Sequence, residues 1–263
     1  MNLFDDVART ITVVAMLLSR GYGLLLAIPP LMKAGQGRML RLPIALAIAL
    51  PTFPLAYHTL PDTLAGGEAV FTAARELAIG ALTGVFFLPL FVVPRAVGTF
   101  VDQQAGLMSI QLFDPTSAER SATIFADAFE QTALFMFAVA GGFGVLAELY
   151  AVSHRFWPVG ATDLPSIERV TDLAVRGFGA LFDAAIHYAA PFVVTLILLE
   201  YGLGLIGRAA PQLNILTTSI AIKLVAVLLM IAFVGSFLMD AFGNALDATR
   251  VVAERFLEPA ETR

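Results

Sequence analysis

The sequence predicts an all-α fold of broken, proline-kinked hydrophobic helices and helical hairpins, arranged as a multi-pass membrane protein. Three observations carry this reading. The 263 residues are 58% hydrophobic and 14% charged, with a mean hydropathy of +0.82, whereas soluble domains run near ~45–50% apolar and ~25% charged. Six apolar stretches are each long enough to cross a hydrocarbon core about 30 Å thick. Fourteen prolines fall largely inside or at the edges of those stretches, where each removes a backbone donor and kinks or breaks a helix.

The stretches are Thr10–Met32, Leu42–Leu60, Leu77–Phe100, Gln131–Val152, Phe178–Ile206 and Ile215–Phe242. Only the second and third contain uncharged runs of the length of a simple span. Arg20 interrupts the first, Asp183, His187 and Glu200 the fifth and Lys223 the sixth, while Asp127, Glu130 and Glu148 crowd the ends of the fourth. A charge at mid-bilayer costs about 2.5–3.5 kcal/mol on insertion scales, and such residues face protein or water. Helices broken by Pro29-Pro30, Pro43, Pro51, Pro54, Pro89, Pro94 and Pro191 likewise need protein or a wet cavity to satisfy the freed carbonyls. The pattern reads as membrane-like helices intended for protein surroundings. Small residues at Gly80-x3-Gly84 and at Gly141, Gly142 and Gly144 suit close backbone approach, and equally suit ordinary membrane-helix composition.

The acidic opening, Met1-Asn2-Leu3-Phe4-Asp5-Asp6, reads against a cleavable leader, so insertion is expected to use the body of the chain. Lys33–Arg41, Val101–Glu130 and Ser153–Gly177 are the hydrophilic separators, and Ser166 is placed to cap a short amphipathic helix. After Asp240 the chain stays helix-compatible and reads as a cytosolic or interfacial extension. Basic residues divide evenly enough across alternating spans to fix no orientation.

The formal charge of −5 argues against nucleic acid as a partner, because phosphate neutralisation needs a basic face. The absence of cysteine removes disulfides, thiol catalysis and thiolate metal sites together. No metalloprotease, P-loop, dinucleotide or nucleophile-elbow motif is present. His58, His154 and His187 are scattered, and His187 reads as a packed residue. No enzyme and no cofactor are expected. The competing reading is a secondary transporter or ion channel using Asp127, Glu130, Asp183, His187, Glu200 and Lys223 as an intramembrane relay; it lacks an internal repeat.

Two constellations stand out. Gly98-Thr99-Phe100-Val101-Asp102-Gln103-Gln104-Ala105-Gly106 leads into an apolar run, Leu107, Met108, Ile110, Leu112 and Phe113, closed by Asp114-Pro115. The run is too short to span and too hydrophobic for an exposed loop. It fits either a re-entrant turn filling a packing gap or a flexible plug sealing a conduit, for which methionine's adaptable thioether is suited. The second constellation joins the last two stretches: Glu200, Gly204, Arg208-Ala209-Ala210-Pro211-Gln212-Leu213-Asn214 and Lys223. Pro211 cannot continue the preceding helix, and Gln212 and Asn214 supply turn donors and acceptors. Lys223 needs an acceptor in the hairpin or on a neighbour. Glu200 and Arg208 serve locally or belong to a polar ring shared between subunits.

These residues resemble the T-subunit family of the type III secretion export apparatus, the injectisome SctT and flagellar FliR proteins. Arg20 with Pro29-Pro30 looks like the family's opening block. Glu76-x3-Gly80-x3-Gly84 and Gly98-x3-Asp102-x-Gln104-x-Gly106 resemble its middle block, and Asp114-Pro115 its close. Tyr150-x2-Ser153-x3-Trp157-Pro158 is closer to the injectisome branch, and Arg208-Ala-Ala-Pro211-Gln212-Leu213-Asn214 is the most specific piece. Thr218–Lys223 lacks the proline that family members commonly carry there. The resemblance implies a non-enzymatic subunit of a hetero-oligomeric gate, built with R and S subunits in the bacterial inner membrane and raised partly toward the periplasm, through which unfolded polypeptides are exported. It implies an R-subunit-like part over about 1–177 with a plug at 105–121. An S-subunit-like hairpin and extension would follow over about 178–263. Gln212, Asn214 and Lys223 would meet neighbouring S subunits or the switch subunit.

Overall fold

The computed structural model describes residues 3–32, 36–60, 66–106, 123–160, 166–209 and 215–257, and among them every regular element is helical. The order is α1 (Leu3–Leu26), α2 (Pro29–Met32), α3 (Gln36–Ala49), a 3-10 turn (Leu50–Thr52) and α4 (Phe53–Thr59). Then come α5 (Gly66–Val85), α6 (Leu88–Ala105), α7 (Ile124–Val139), α8 (Gly142–Phe156), α9 (Ile167–Ala209) and α10 (Ile215–Leu257). The protein is an all-α, multi-pass membrane protein. Asp6–Leu26, Arg41–Thr59 and Phe182–Ala209 are each long and apolar enough to cross a bilayer, and α5 with α6 and α7 with α8 bring the number to five when each bent pair is one broken span. Within α10, among the described residues, a shorter apolar run covers Thr218–Phe233, with Lys223 inside it.

The breaks follow local chemistry. Pro29 and Pro30 open α2 after α1 has ended, with the Ile28 N–H turned back onto the Leu25 carbonyl at 3.0 Å. Pro51 lies in the 3-10 turn, and Pro89 in the first turn of α6, where a missing N–H costs least. Gly141, with φ of +78°, separates α7 from α8 in a left-handed conformation that a side chain would strain. Pro43, Pro94 and Pro191 remain inside continuous helices.

The chain folds into two compact units. The first takes Met1–Pro89, Phe137–Thr171 and Asn244–Arg263; the second takes Leu90–Met136 and Asp172–Gly243. In the first, α1 buries Val13, Met16, Leu17, Arg20 and Leu24, a stripe at helical spacing that faces α5 and α3. The backbones of α1 and α5 nearly touch. A methyl group at Gly23 would collide with the Leu77 carbonyl oxygen, and one at Gly80 with that of Arg20. Lipid tails are as apolar as leucine, so tight van der Waals contact of this kind drives helix association in place of the hydrophobic effect.

The core of the second unit is formed by Val93, Val97, Val101 and Ala105 of α6, Phe125 of α7, Ala185, Ala189, Phe192 and Leu196 of α9, and Val227 of α10. The four α6 residues recur every fourth position and so form one stripe. Gly98 again permits a backbone crossing, since a methyl there would strike the Phe125 carbonyl and the Ala126 Cα.

Candidate functional site

Two polar constructions occupy helices that are otherwise apolar. In the first unit the Arg20 guanidinium is fully enclosed. Its Nε donates to Glu76 Oε2 at 2.6 Å, Nη1 to Ser153 Oγ at 3.3 Å and Nη2 to the Trp157 carbonyl at 2.8 Å. Both partners of the Arg20–Glu76 pair have no solvent exposure. Tyr150 Oη closes the node by donating to the Leu17 carbonyl at 2.8 Å. The opening block, the middle block and the tyrosine–serine–tryptophan block, read singly in the sequence, therefore converge on one buried charge. The signal for this was present: Thr72, Glu76, Gly80 and Gly84 fall on one stripe of α5, so a carboxylate at 76 had to face α1, where Arg20 sits in the buried stripe. His154, which the sequence reading left among scattered histidines, is also buried here, its Nδ1 3.1 Å from the Tyr150 carbonyl.

The second construction lies in the second unit, around the last turns of α6. Asp102 is buried, and its two carboxylate oxygens accept the N–H groups of Phe125 and Ala126, each at 3.0 Å. These are among the orphan donors that open a helix, so Asp102 caps α7 from another element and places its charge at the favourable end of the α7 dipole. Two residues on, Lys223 Nζ donates to the Gln104 carbonyl at 3.0 Å, answering an orphan acceptor at the α6 C-terminus. Lys223 also reaches Glu200 Oε2 at 3.4 Å. Gly106 ends the helix with φ of +81°, its N–H on the Gln103 carbonyl.

Lys223 thus finds acceptors within its own chain, at Gln104 and Glu200, and Glu200 also lines an open groove. That groove is lined by Ile197, Glu200, Tyr201, Gly204, Leu205 and Arg208 of α9, so Glu200 and Arg208 share a face without pairing with each other among the described contacts. Leu107, Met108, Ile110, Leu112, Phe113, Asp114 and Pro115, and likewise Pro211, Gln212 and Asn214, lie outside the described residues.

The residues of the supposed relay fall into separate places. Asp127 and Glu130 both pair with Arg95, whereas Asp183 and His187 are exposed on α9; the packed environment expected for His187 is not found. Among the described residues no group of three or more His, Asp or Glu side chains is arranged to hold a metal ion.

Residues 11–249 match the family described as bacterial export proteins, family 1. The chain belongs to this family. The match includes Arg20, Glu76, Asp102, Glu200 and Lys223, so both polar constructions lie inside the family region. Among its relatives, the Yop proteins translocation protein T of Yersinia pestis is 28% identical over 235 residues, covering 87% of this chain and 88% of that one. The secretion system apparatus protein SsaT of Salmonella typhimurium is 24% identical over 231 residues, 86% of each chain. The flagellar biosynthetic protein FliR of Bacillus subtilis is 25% identical over 179 residues, covering 67% and 68%. The sequence resemblance to the injectisome and flagellar T subunits is met by relatives of both kinds.

Proposed function

We propose that this export protein is a structural, non-enzymatic T-type subunit of a type III secretion gate, on the injectisome branch. It would help to form and seal the inner-membrane pore through which unfolded polypeptides leave the cytoplasm. On this reading it needs no cofactor and assembles with R and S subunits and the switch subunit, in a complex raised partly toward the periplasm. Residues 1–177 correspond to the R-like part, with Gly106 to Pro115 at the heart of the plug, and residues 178–263 to the S-like hairpin and extension.

One observation carries the reading. The stretch 107–122 leaves α6 where Lys223 holds the Gln104 carbonyl and returns where Asp102 holds the start of α7. Both described flanks of this stretch are thus fastened to the same few turns of α6, and fixed roots on either side are what a seal in a conduit requires. The second support is exposure: Phe182, Ile186, Val194, Leu198, Tyr201, Leu205, Leu228 and Phe233 on α9 and α10 are all exposed in the lone chain. Glu200, Arg208 and Lys223 occur on the same helices, a mixture better suited to protein neighbours than to lipid.

Deleting Leu107–Phe113 tests the assignment. The shortened chain should still co-purify with R- and S-type subunits while ion leak through the assembled complex rises. An assembled complex with unchanged leak would remove the plug from this segment. Purification as a lone protein that moves a solute in vesicles would instead favour the transporter.

A further inference from the structure

The last turns of the chain are an integral part of the first unit. Leu246, Ala253 and Leu257 are buried at helical spacing along α10, while Asp247, Val251, Val252 and Arg255 on the other face are exposed. The Phe256 ring lies 5.2 Å from Phe86 and 6.4 Å from Trp157, centroid to centroid. Arg250 Nη2 donates to Glu148 Oε1 of α8 at 2.6 Å, and its Nε to Glu254 at 3.1 Å. Hydrogen bonds from Glu148 first, then Glu254, raise the Arg250 pKa above its ordinary value.

The two positions touched by Phe256 are both points of weakness. Phe86 is in the two-residue break that follows α5, and Trp157 is the first residue past α8, the one whose carbonyl Arg20 uses. Left to themselves, helix ends fray, and a frayed α8 end would withdraw an acceptor from a buried guanidinium. We propose that residues 244–257 form a clasp that holds these two ends and so closes the Arg20 node. The segment 172–243 then leaves and re-enters the first unit as an insertion, and that unit is complete only when the final turns of the chain have docked. Competence to assemble is thereby made to depend on residues 244–257. This is independent of whether 107–122 seals a pore.

The chain supplies its own reporters. Trp157 is its only tryptophan, and it has no cysteine. In the full-length protein, Phe256→Ala should shift Trp157 emission to the red and lower the amount of chain recovered from membranes. Arg250→Glu should lower recovery in the same way, and combining it with Glu148→Arg should restore it. A short bis-maleimide should cross-link the Phe86→Cys, Phe256→Cys pair in membranes, with the cysteine-free parent as blank. A Phe256→Ala chain with unchanged emission and recovery overturns the clasp. Where that variant simply fails to accumulate, absence of cross-linking in the cysteine pair overturns it instead.

Discussion

The two units treat charge in opposite ways. In the first, Arg20 and Glu76 have no solvent exposure and every direction around the guanidinium is answered by the chain's own atoms. In the second, Lys223 is 6% exposed but its partner Glu200 is 63% exposed, and Arg95 with Asp127 is half open. Apolar surface divides the same way: the span Asp6–Leu26 has 44% of its apolar window buried, against 17% for Phe182–Ala209. A buried ion pair recovers its desolvation cost only when hydrogen bonds satisfy what remains, and on the guanidinium side the first unit supplies those bonds from its own chain. The second unit leaves most of a long helix exposed and a carboxylate in an open groove. One unit is finished by its own chain; the other is built to be finished by neighbours.

The sharpest break of this comparison is at Glu76. Glu76→Ala strands an enclosed guanidinium, and removing one partner of a buried pair costs about 3–5 kcal/mol. We expect the chain to disappear from membranes, read as steady-state level, whether or not partners are co-expressed. Lys223→Ala should cost less, about 1.5–3 kcal/mol for a charged hydrogen bond, because Glu200 returns to solvent and only the Gln104 carbonyl is stranded. Here the lone chain should survive in lowered yield. Equal losses from the two variants would mean that the second unit is as self-contained as the first.

The division between the two units was not legible in the sequence, but part of what builds them was. Arg20, Glu200 and Lys223 inside apolar stretches pointed to helices in protein surroundings, and the Gly80-x3-Gly84 spacing allowed close backbone approach without naming α1 as the partner. What sequence could not supply was the use of each charge. The prolines and the cations answer one another: Arg41 donates to the Leu31 carbonyl and Arg9 to those of Tyr57 and Leu60, as Lys223 does to Gln104, each at the end of a short or broken helix. Those partners are 10 to 119 residues apart in the chain, and a helical period carries no information at such separations. The same limit hid Asp102 as a cap for α7, and it made the last turns of α10 look like a free extension, since an amphipathic stripe is the same whether it meets an interface or a core.

Asp102→Ala should cost about 0.5–2 kcal/mol, the range for losing a helix N-cap. The effect should appear as faster amide exchange at Phe125 and Ala126, with exchange in the first unit unmoved. A change spread over both units would mean that Asp102 supports more than the start of α7.

The smallest effect, at Gly204, is read against Gly80, and both turn on a single methyl group. Alanine at Gly80 meets the Arg20 carbonyl, and overpacking of this kind typically costs about 1–3 kcal/mol. Alanine at Gly204 meets nothing within 4 Å and should stabilise α9 by up to about 1 kcal/mol through helix propensity. In the lone chain, therefore, Gly204→Ala should raise thermal stability slightly while Gly80→Ala lowers it. Inside an assembled complex the sign at 204 should reverse, with weaker recovery of partner subunits, if a neighbouring helix uses that glycine as closely as α1 uses Gly80. A Gly204→Ala chain that is stabilised alone and assembles normally would leave the groove beside Glu200 facing lipid or water, and would take from the second unit its claim to be completed there by protein.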